Sequence, residues 1–198
     1  MSRTLFVIPI IHSEADLGRL AGTLRTAAGG DKWAAKQQAV RRLWGRISEW
    51  CDSIDPTRLF VFQDALPDHP TAPQIVAELA DQGSPNYRVI SRLVERGAVL
   101  VGTERPELLL REYEQACAAA RSIEDGMATR RADGGDAAAL LELRDCAIAD
   151  KIGSTLGNGD RGVLFIGLMH DVTSRLAQDI DPVFPLGRGD RTGVGGAE

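Results

Sequence analysis

Two histidines directly follow apolar runs of strand length, one near each end of the chain. Residues 5–11 form the first run and end at His12, and residues 163–168 form the second, which precedes His170. In open α/β sheets, ligands bind at the edge where the strands have their carboxyl ends. If the two strands are neighbours, both imidazoles reach one crevice. There they could bind a metal ion or act as an acid/base pair.

Carboxylates near the same predicted edge enlarge this constellation. Asp64 and Glu104 each lie just beyond another apolar run, and Glu14 lies two residues after His12. Each could instead be a capping or turn residue, so both interpretations stay open. A mixture of imidazole and carboxylate suits zinc, manganese or iron. We therefore predict a candidate site for one of these divalent metals, with the ligands His12, His170, Glu14, Asp64 and Glu104.

A charged pair lies on the amphipathic stretch that precedes the second histidine strand. Arg144 and Asp145 lie beside the apolar stripe of a helix predicted over residues 137–156. A charge in that position needs a partner, and Glu142, Asp145 and Glu104 are the candidates for Arg144. Alternatively, the planar guanidinium could bind a carboxylate or phosphate of a substrate.

The elements that position these residues alternate along the chain. Four apolar runs, at residues 5–11, 59–62, 98–101 and 163–168, are each flanked by helical periodicity. This alternation predicts an α/β fold with a mostly parallel sheet of about four to five strands covered by helices. We expect one domain over residues 1–185. The helices are predicted at residues 32–54, 74–81, 86–96, 106–120 and 137–156.

Local signals refine the ends of these elements. Ser84 and Pro85 predict an N-cap and a first helical position, and Asp171 predicts the N-cap of a helix after the last strand. Tyr113 is predicted on the packing side of its helix. Residues 123–136 are expected to form an exposed loop. The Gly-rich segment 186–198 has little to bury and is predicted to be a disordered tail.

Composition narrows the classes of partner and compartment. The 198 residues are 43% hydrophobic, and their net charge of -5 includes no basic stripe, which argues against nucleic acid. No segment approaches the roughly 18 apolar residues that a membrane helix needs. The three cysteines are widely spaced and predict reduced thiols and a cytoplasmic protein. A small molecule or peptide is the expected substrate, and monomer and homo-oligomer both stay open.

Several familiar motifs are missing from the sequence. It contains no glycine-rich dinucleotide fingerprint, no Walker phosphate loop, no G-x-S-x-G nucleophile elbow and no H-E-x-x-H helix. Dinucleotide, nucleoside triphosphate and serine-hydrolase functions therefore lose support.

One combination of motifs resembles a known superfamily. The Leu143-Arg144-Asp145 helix is followed by a strand that ends in Gly-x-x-His, at Gly167 and His170. This order resembles the closing half of the TraB/Tiki, ChaN and erythromycin-esterase-like superfamily, and the strand before His12 is similar to that group's first histidine motif. The resemblance implies an α/β fold in which both histidines, a carboxylate and the helix arginine line one pocket. Members include metal-dependent proteases, esterases that act through a histidine-activated water, and a haem-binding protein.

Two hypotheses about function follow, beside the alternative of a cytoplasmic partner protein whose histidines only complete hydrogen bonds. The first is a hydrolase whose water nucleophile is activated by His12 and His170, directly or through a bound divalent metal, with Glu104 or Glu14 as ligand or base. Arg144 would then stabilise an anionic substrate or transition state. The second is a non-catalytic protein that holds a metal, haem or another small ligand in the same pocket.

Overall fold

A single parallel sheet organises the molecule, and the α/β prediction is confirmed. The computed structural model describes residues 2–11, 30–124 and 134–188. Its five strands are parallel and lie in the order β3-β2-β4-β1-β5. Their bounds are β1 (Arg3–Ile10), β2 (Leu59–Pro67), β3 (Val99–Glu104), β4 (Arg161–Gly167) and β5 (Ile180–Val183).

The predicted helices cover this sheet, with ends that differ by a few residues. Ser84 caps one of them, because its side chain accepts a hydrogen bond from the Tyr87 N–H at 3.3 Å, and Pro85 is the first helical residue. The helices are α1 (Gly30–Ser53), α2 (Ala72–Asp81), α3 (Pro85–Glu95), α4 (Pro106–Glu124) and α5 (Gly134–Thr155).

The segment after His170 differs from its prediction. Asp171 does not cap an α-helix, since only a 3-10 turn, Thr173–Arg175, follows before β5. Strand β5 pairs with β1, from Arg3 opposite Ile180 to Phe6 opposite Val183. The segment becomes a strand because β1 offers it a free edge, and an edge strand tolerates the proline within it.

Three further predictions are corrected, at helix α4, at the loop predicted after it and at the C-terminal segment. Tyr113 is 64% exposed and does not pack on the sheet. Helices α4 and α5 extend into the predicted loop at both ends, and residues 125–133 lie outside the described part. Leu186, at the start of the predicted tail, is partly buried and packs against the hydrophobic core. Residues 189–198 also lie outside the described part.

The sheet separates two hydrophobic clusters. One face carries Ile8, Ile10 and Phe165 against helices α1 to α3. The other carries Leu164 and Ile166 against α5. Because side chains alternate along a strand, each of the strands β1 to β4 contributes to both clusters, and β5 adds Ile180 to the second. Among the described residues, no helix has the length and apolar character needed to cross a bilayer.

Candidate functional site

The two strands that precede the histidines are neighbours, as the sequence required. β1 and β4 pair in parallel, with Ile10 opposite Gly167 at their carboxyl ends. The carboxyl ends of both strands therefore lie at the same edge of the sheet. His12 and Glu14 lie outside the described residues, so the meeting of the two imidazoles stays a prediction.

Strands β2 and β3 bring Asp64 and Glu104 to the same edge. Their register shifts between Gln63, which lies opposite Gly102, and Pro67, which lies opposite Glu104. Within this bulge Ala65 has a φ of 61°, and its N–H donates to Glu104 Oε1 at 2.7 Å. The irregularity ends the regular ladder and points both carboxylates at one place, a common use of bulges near functional sites.

The close approach of the two strands here depends on a glycine. A Cβ atom on Gly102 would lie 2.0 Å from the carbonyl oxygen of Pro67. Any side chain at position 102 would therefore push the two backbones apart and carry Glu104 with them.

Arg144 occupies the space between the carboxylates. Its Nη2 lies 2.9 Å from Asp64 Oδ1 and 2.8 Å from Glu104 Oε1, and its Nε lies 2.5 Å from Glu104 Oε2. Its Nη1 donates to Glu112 of α4. Of the three partners considered from the sequence, Glu104 is the one that the structure provides. Glu142 lies near Arg175 instead, with Arg175 Nη2 and Glu142 Oε1 3.5 Å apart.

His170 is held between two carboxylates, those of Asp145 and Asp64. Its Nδ1 lies 2.5 Å from Asp145 Oδ1, and its Nε2 lies 3.4 Å from Asp64 Oδ1. Backbone N–H groups fix both acids, because Asp171 donates to Asp145 Oδ2 and Gly167 donates to Asp64 Oδ2. The imidazole side chain is only 5% exposed. Asp64 therefore connects the histidine and the arginine in one buried network.

The network sets the protonation of its members. Burial alone would lower the pKa of His170, but the hydrogen bonds to Asp145 and Asp64 raise that pKa to about 9. Burial raises the pKa of Glu104 despite the opposing effect of Arg144. Burial would also raise the pKa of Asp64, but His170 and Arg144 hold it well below its usual range. At neutral pH the centre of the site thus contains an imidazolium and an ionised Asp64.

A cavity of about 410 Å³ opens directly onto this network. Asp64, Arg144 and His170 contribute charged groups to its lining, and Lys36 and Glu112 line it as well. The apolar part of the lining comes from Ile10, Ile11, Leu141, Leu168 and Met169. An apolar cavity with a few convergent polar groups is the usual form of a small-molecule site.

Three of the predicted metal ligands, Asp64, Glu104 and His170, already have protein partners. The oxygens of Asp64 and Glu104 already contact the Arg144 guanidinium, and the Nδ1 of His170 is occupied by Asp145. Within the described part, no group of three or more His, Cys, Asp or Glu side chains is arranged to hold a metal ion. A metal site that includes His12 and Glu14 stays a prediction, because both lie outside the described residues.

Sequence reasoning missed two members of the site. Glu112 looks like one of many surface acids on an amphipathic helix, and only the position of α4 brings it to Arg144. Asp145 was considered as a partner of Arg144, whereas it binds His170. A usable signal did exist, since adjacent residues of a helix point in directions about 100° apart and so rarely meet each other. The third histidine, His69, lies on a separate loop beside Thr71.

The comparisons with known proteins add no relative. No family model, curated protein or solved structure matches this chain. The case for a function therefore depends on the geometry of the site.

Proposed function

We propose that this protein is a hydrolase of small-molecule or peptide substrates that uses His170 as its acid/base residue. The observation that supports this proposal best is the Asp145–His170 pair beneath the 410 Å³ cavity. A carboxylate bound to one imidazole nitrogen fixes the tautomer and leaves the other nitrogen to exchange a proton with substrate or water. The resemblance to esterases with a histidine-activated water points to the same chemistry.

The two imidazole nitrogens would have separate roles. Once the ring has lost its Nε2 proton, near the His170 pKa of about 9, Nε2 can take a proton from water as the carbonyl is attacked. Asp145 stabilises the imidazolium that forms through Nδ1. The same proton can then pass to the leaving group. Asp64 lies 3.4 Å from Nε2 and orients the ring. A water or substrate that reaches Nε2 would therefore also lie close to Asp64.

Arg144 and Glu104 would act as the support of this site. Glu104 is fully buried and holds the guanidinium through two hydrogen bonds. The positive charge of Arg144 then lies beside Asp64. It would stabilise the negative charge that develops on the attacked carbonyl in the transition state. In this proposal Glu104 positions Arg144 and does not contact the substrate.

A second candidate function, the binding of a small ligand without turnover, is favoured by one observation. The raised pKa of His170, about 9, keeps the imidazole protonated at neutral pH. A protonated imidazole is a poor base but a good donor to an anion. Substrate turnover separates the two functions.

The test is a screen of ester, peptide and phosphoester substrates with the wild type, His170→Gln and Asp145→Asn. For a reactive ester we expect kcat/KM to fall by about 100-fold or more in His170→Gln, which is the usual contribution of a positioned acid or base. If His170 acts as the base, kcat/KM of the wild type should rise with pH up to about 9, where the imidazole loses its proton.

Controls make the outcome decisive. His69→Gln removes a histidine on an exposed loop and should leave kcat/KM unchanged. Turnover that survives in His170→Gln would contradict the proposal, and the absence of turnover in the wild type together with tight binding of a ligand would favour the second function. The same screen with added manganese, zinc or iron, and metal analysis of the purified protein with and without His12→Ala, tests the predicted metal.

A further inference from the structure

The donor atoms of Arg144 bind partners that differ in their exposure to water. Nε and Nη2 bind Glu104 and Asp64, whose side chains are 0% and 4% exposed. Nη1 binds Glu112, whose side chain is 46% exposed. Two sides of the guanidinium are therefore sealed in the core, and the third is closed by a carboxylate that water can reach.

Glu112 can leave Arg144 at little structural cost. It lies on α4, and none of the side chains of residues 106–119 in that helix is fully buried. A rotation of the Glu112 side chain into water would uncover no apolar core. Arg144 would keep its partners Glu104 and Asp64, so its charge would stay compensated.

We infer that the Nη1 side of Arg144, together with the adjoining cavity, is a binding site for the carboxylate of a ligand, and that Glu112 occupies this site in the free protein. Both Arg144 and Glu112 line the 410 Å³ cavity. The exchange of Glu112 for another carboxylate leaves the charge of the buried network unchanged. Nη1 would then offer N–H donors of a charged group, and hydrogen bonds from a cation to a carboxylate are among the strong ones.

The walls of the cavity narrow the class of ligand. Beyond the charged floor, the lining is aliphatic or thioether, with Leu141, Leu168 and Met169 among its residues. Lys36 adds a second positive charge to the lining. The ligand expected here is a carboxylate with a short apolar chain.

The inference deepens the proposed function and depends on it only for the identity of the substrate. Arg144 Nη2 and His170 Nε2 lie 2.9 Å and 3.4 Å from the same oxygen of Asp64. A carboxylate held at Arg144 would therefore place a nearby ester or amide carbonyl beside His170. The proposed substrate becomes an ester or amide that carries a carboxylate a few bonds from the reacting group.

The experiment measures the binding of butanoate by calorimetry to the wild type, Glu112→Ala, Glu112→Gln and Glu114→Ala. If Glu112 occupies Arg144 nine times in ten, its removal raises the apparent affinity about tenfold. We expect this gain in Glu112→Ala and a smaller gain in Glu112→Gln, whose neutral amide competes less well. Glu114→Ala, on the same helix and exposed, is the matched control and should bind as the wild type does. Neutral butanamide should show no gain in any variant.

Each result separates this inference from the proposed function. Equal butanoate affinity in the wild type and both Glu112 variants overturns the inference, even if esters are hydrolysed. A gain for butanamide equal to that for butanoate also overturns it, since the site would then not recognise charge. A tenfold gain for butanoate in a protein that hydrolyses nothing upholds the carboxylate site and removes the hydrolase proposal. If Glu112→Ala does not fold, Glu112→Gln carries the test.

Discussion

The two ends of the sheet both carry ion pairs, but they differ in how far water reaches them. At the amino ends of the strands, Arg3 binds Asp179 and Arg58 binds Asp160, and one member of each pair is more than half exposed, Asp179 at 59% and Arg58 at 62%. At the carboxyl ends, Arg144, Asp64 and Glu104 are 3%, 4% and 0% exposed. Both ends contain arginines paired with carboxylates, and the sequence alone does not show that only those at the carboxyl ends are buried.

This difference separates ion pairs that have a structural role from a buried charged network that is a candidate functional site. The amino-end arginines also bind backbone carbonyls, as Arg3 does with Gly153 and Leu156 and Arg58 does with Asn158. They therefore fasten the C-terminal end of helix α5 and the turn after it to the sheet. Exposed pairs contribute little to stability. Buried charges cost several kcal/mol to desolvate. Their presence beside a cavity therefore favours a functional role over a purely stabilising one. Perturbed groups of this kind concentrate at functional sites.

The largest expected effect comes from removing the arginine at the carboxyl end. Arg144→Met leaves Glu104 buried without its cation and Asp64 with the His170 imidazolium alone. It should lower the free energy of unfolding by about 3–5 kcal/mol. The loss should be smaller at pH 5 than at pH 8, because these carboxyls can then take up protons. Urea unfolding of Arg144→Met and of Arg58→Met at both pH values checks this. Losses of similar size in the two variants would erase the proposed contrast between the two ends.

A smaller effect should appear as a pH dependence that belongs to His170. Its pKa is about 9 in the folded protein and ordinarily 6.5, so its stabilisation is fully present below pH 6.5 and is lost as the pH rises through 9. The shift corresponds to at most about 3 kcal/mol of stability. Urea unfolding from pH 6 to pH 10 should therefore show a decline in the wild type that is weaker in His170→Gln. Identical slopes in both proteins would contradict the imidazolium at this site.

The smallest effect, and one of opposite sign, is expected at the amino end. Gly153 lies in helix α5, where an added Cβ would meet nothing within 4 Å, and its carbonyl accepts a hydrogen bond from Arg3. Gly153→Ala should raise the free energy of unfolding by about 0.5–1 kcal/mol, because alanine loses less backbone entropy in a helix. Thermal unfolding measures the gain. A destabilised variant would mean that this end of the sheet is packed as tightly as the other.

Local patterns were enough to predict most of the architecture. The apolar runs before His12 and His170 predicted β1 and β4, and the Ser84-Pro85 signal located the start of α3. These predictions succeeded because period, capping and turn chemistry are properties of neighbouring residues. Strand β5 was missed because Ile180 and its neighbours form a strand only by pairing with β1, which is a contact remote in sequence.

The candidate site was predictable in part. Asp64, Glu104, Arg144 and His170 could be named because strand ends and helix faces indicate where their side chains go. The pairing among them could not, since it depends on the bulge at Ala65 and on the position of α4. Arg144 therefore lies between Asp64 and Glu104, two residues that the sequence had also offered as metal ligands.

Helix α5 carries Arg144 and Asp145 side by side, and these two residues hold opposite halves of the network. Arg144 binds the acids of β2 and β3, and Asp145 binds the histidine that follows β4. A small rotation or translation of helix α5 would weaken the hydrogen bonds of Arg144 and those of Asp145 together. Because Arg144 and Asp145 lie on one helix, a substitution in α5 that shifts the helix should change the proton affinity of His170 and the hydrogen bonding of Arg144 together.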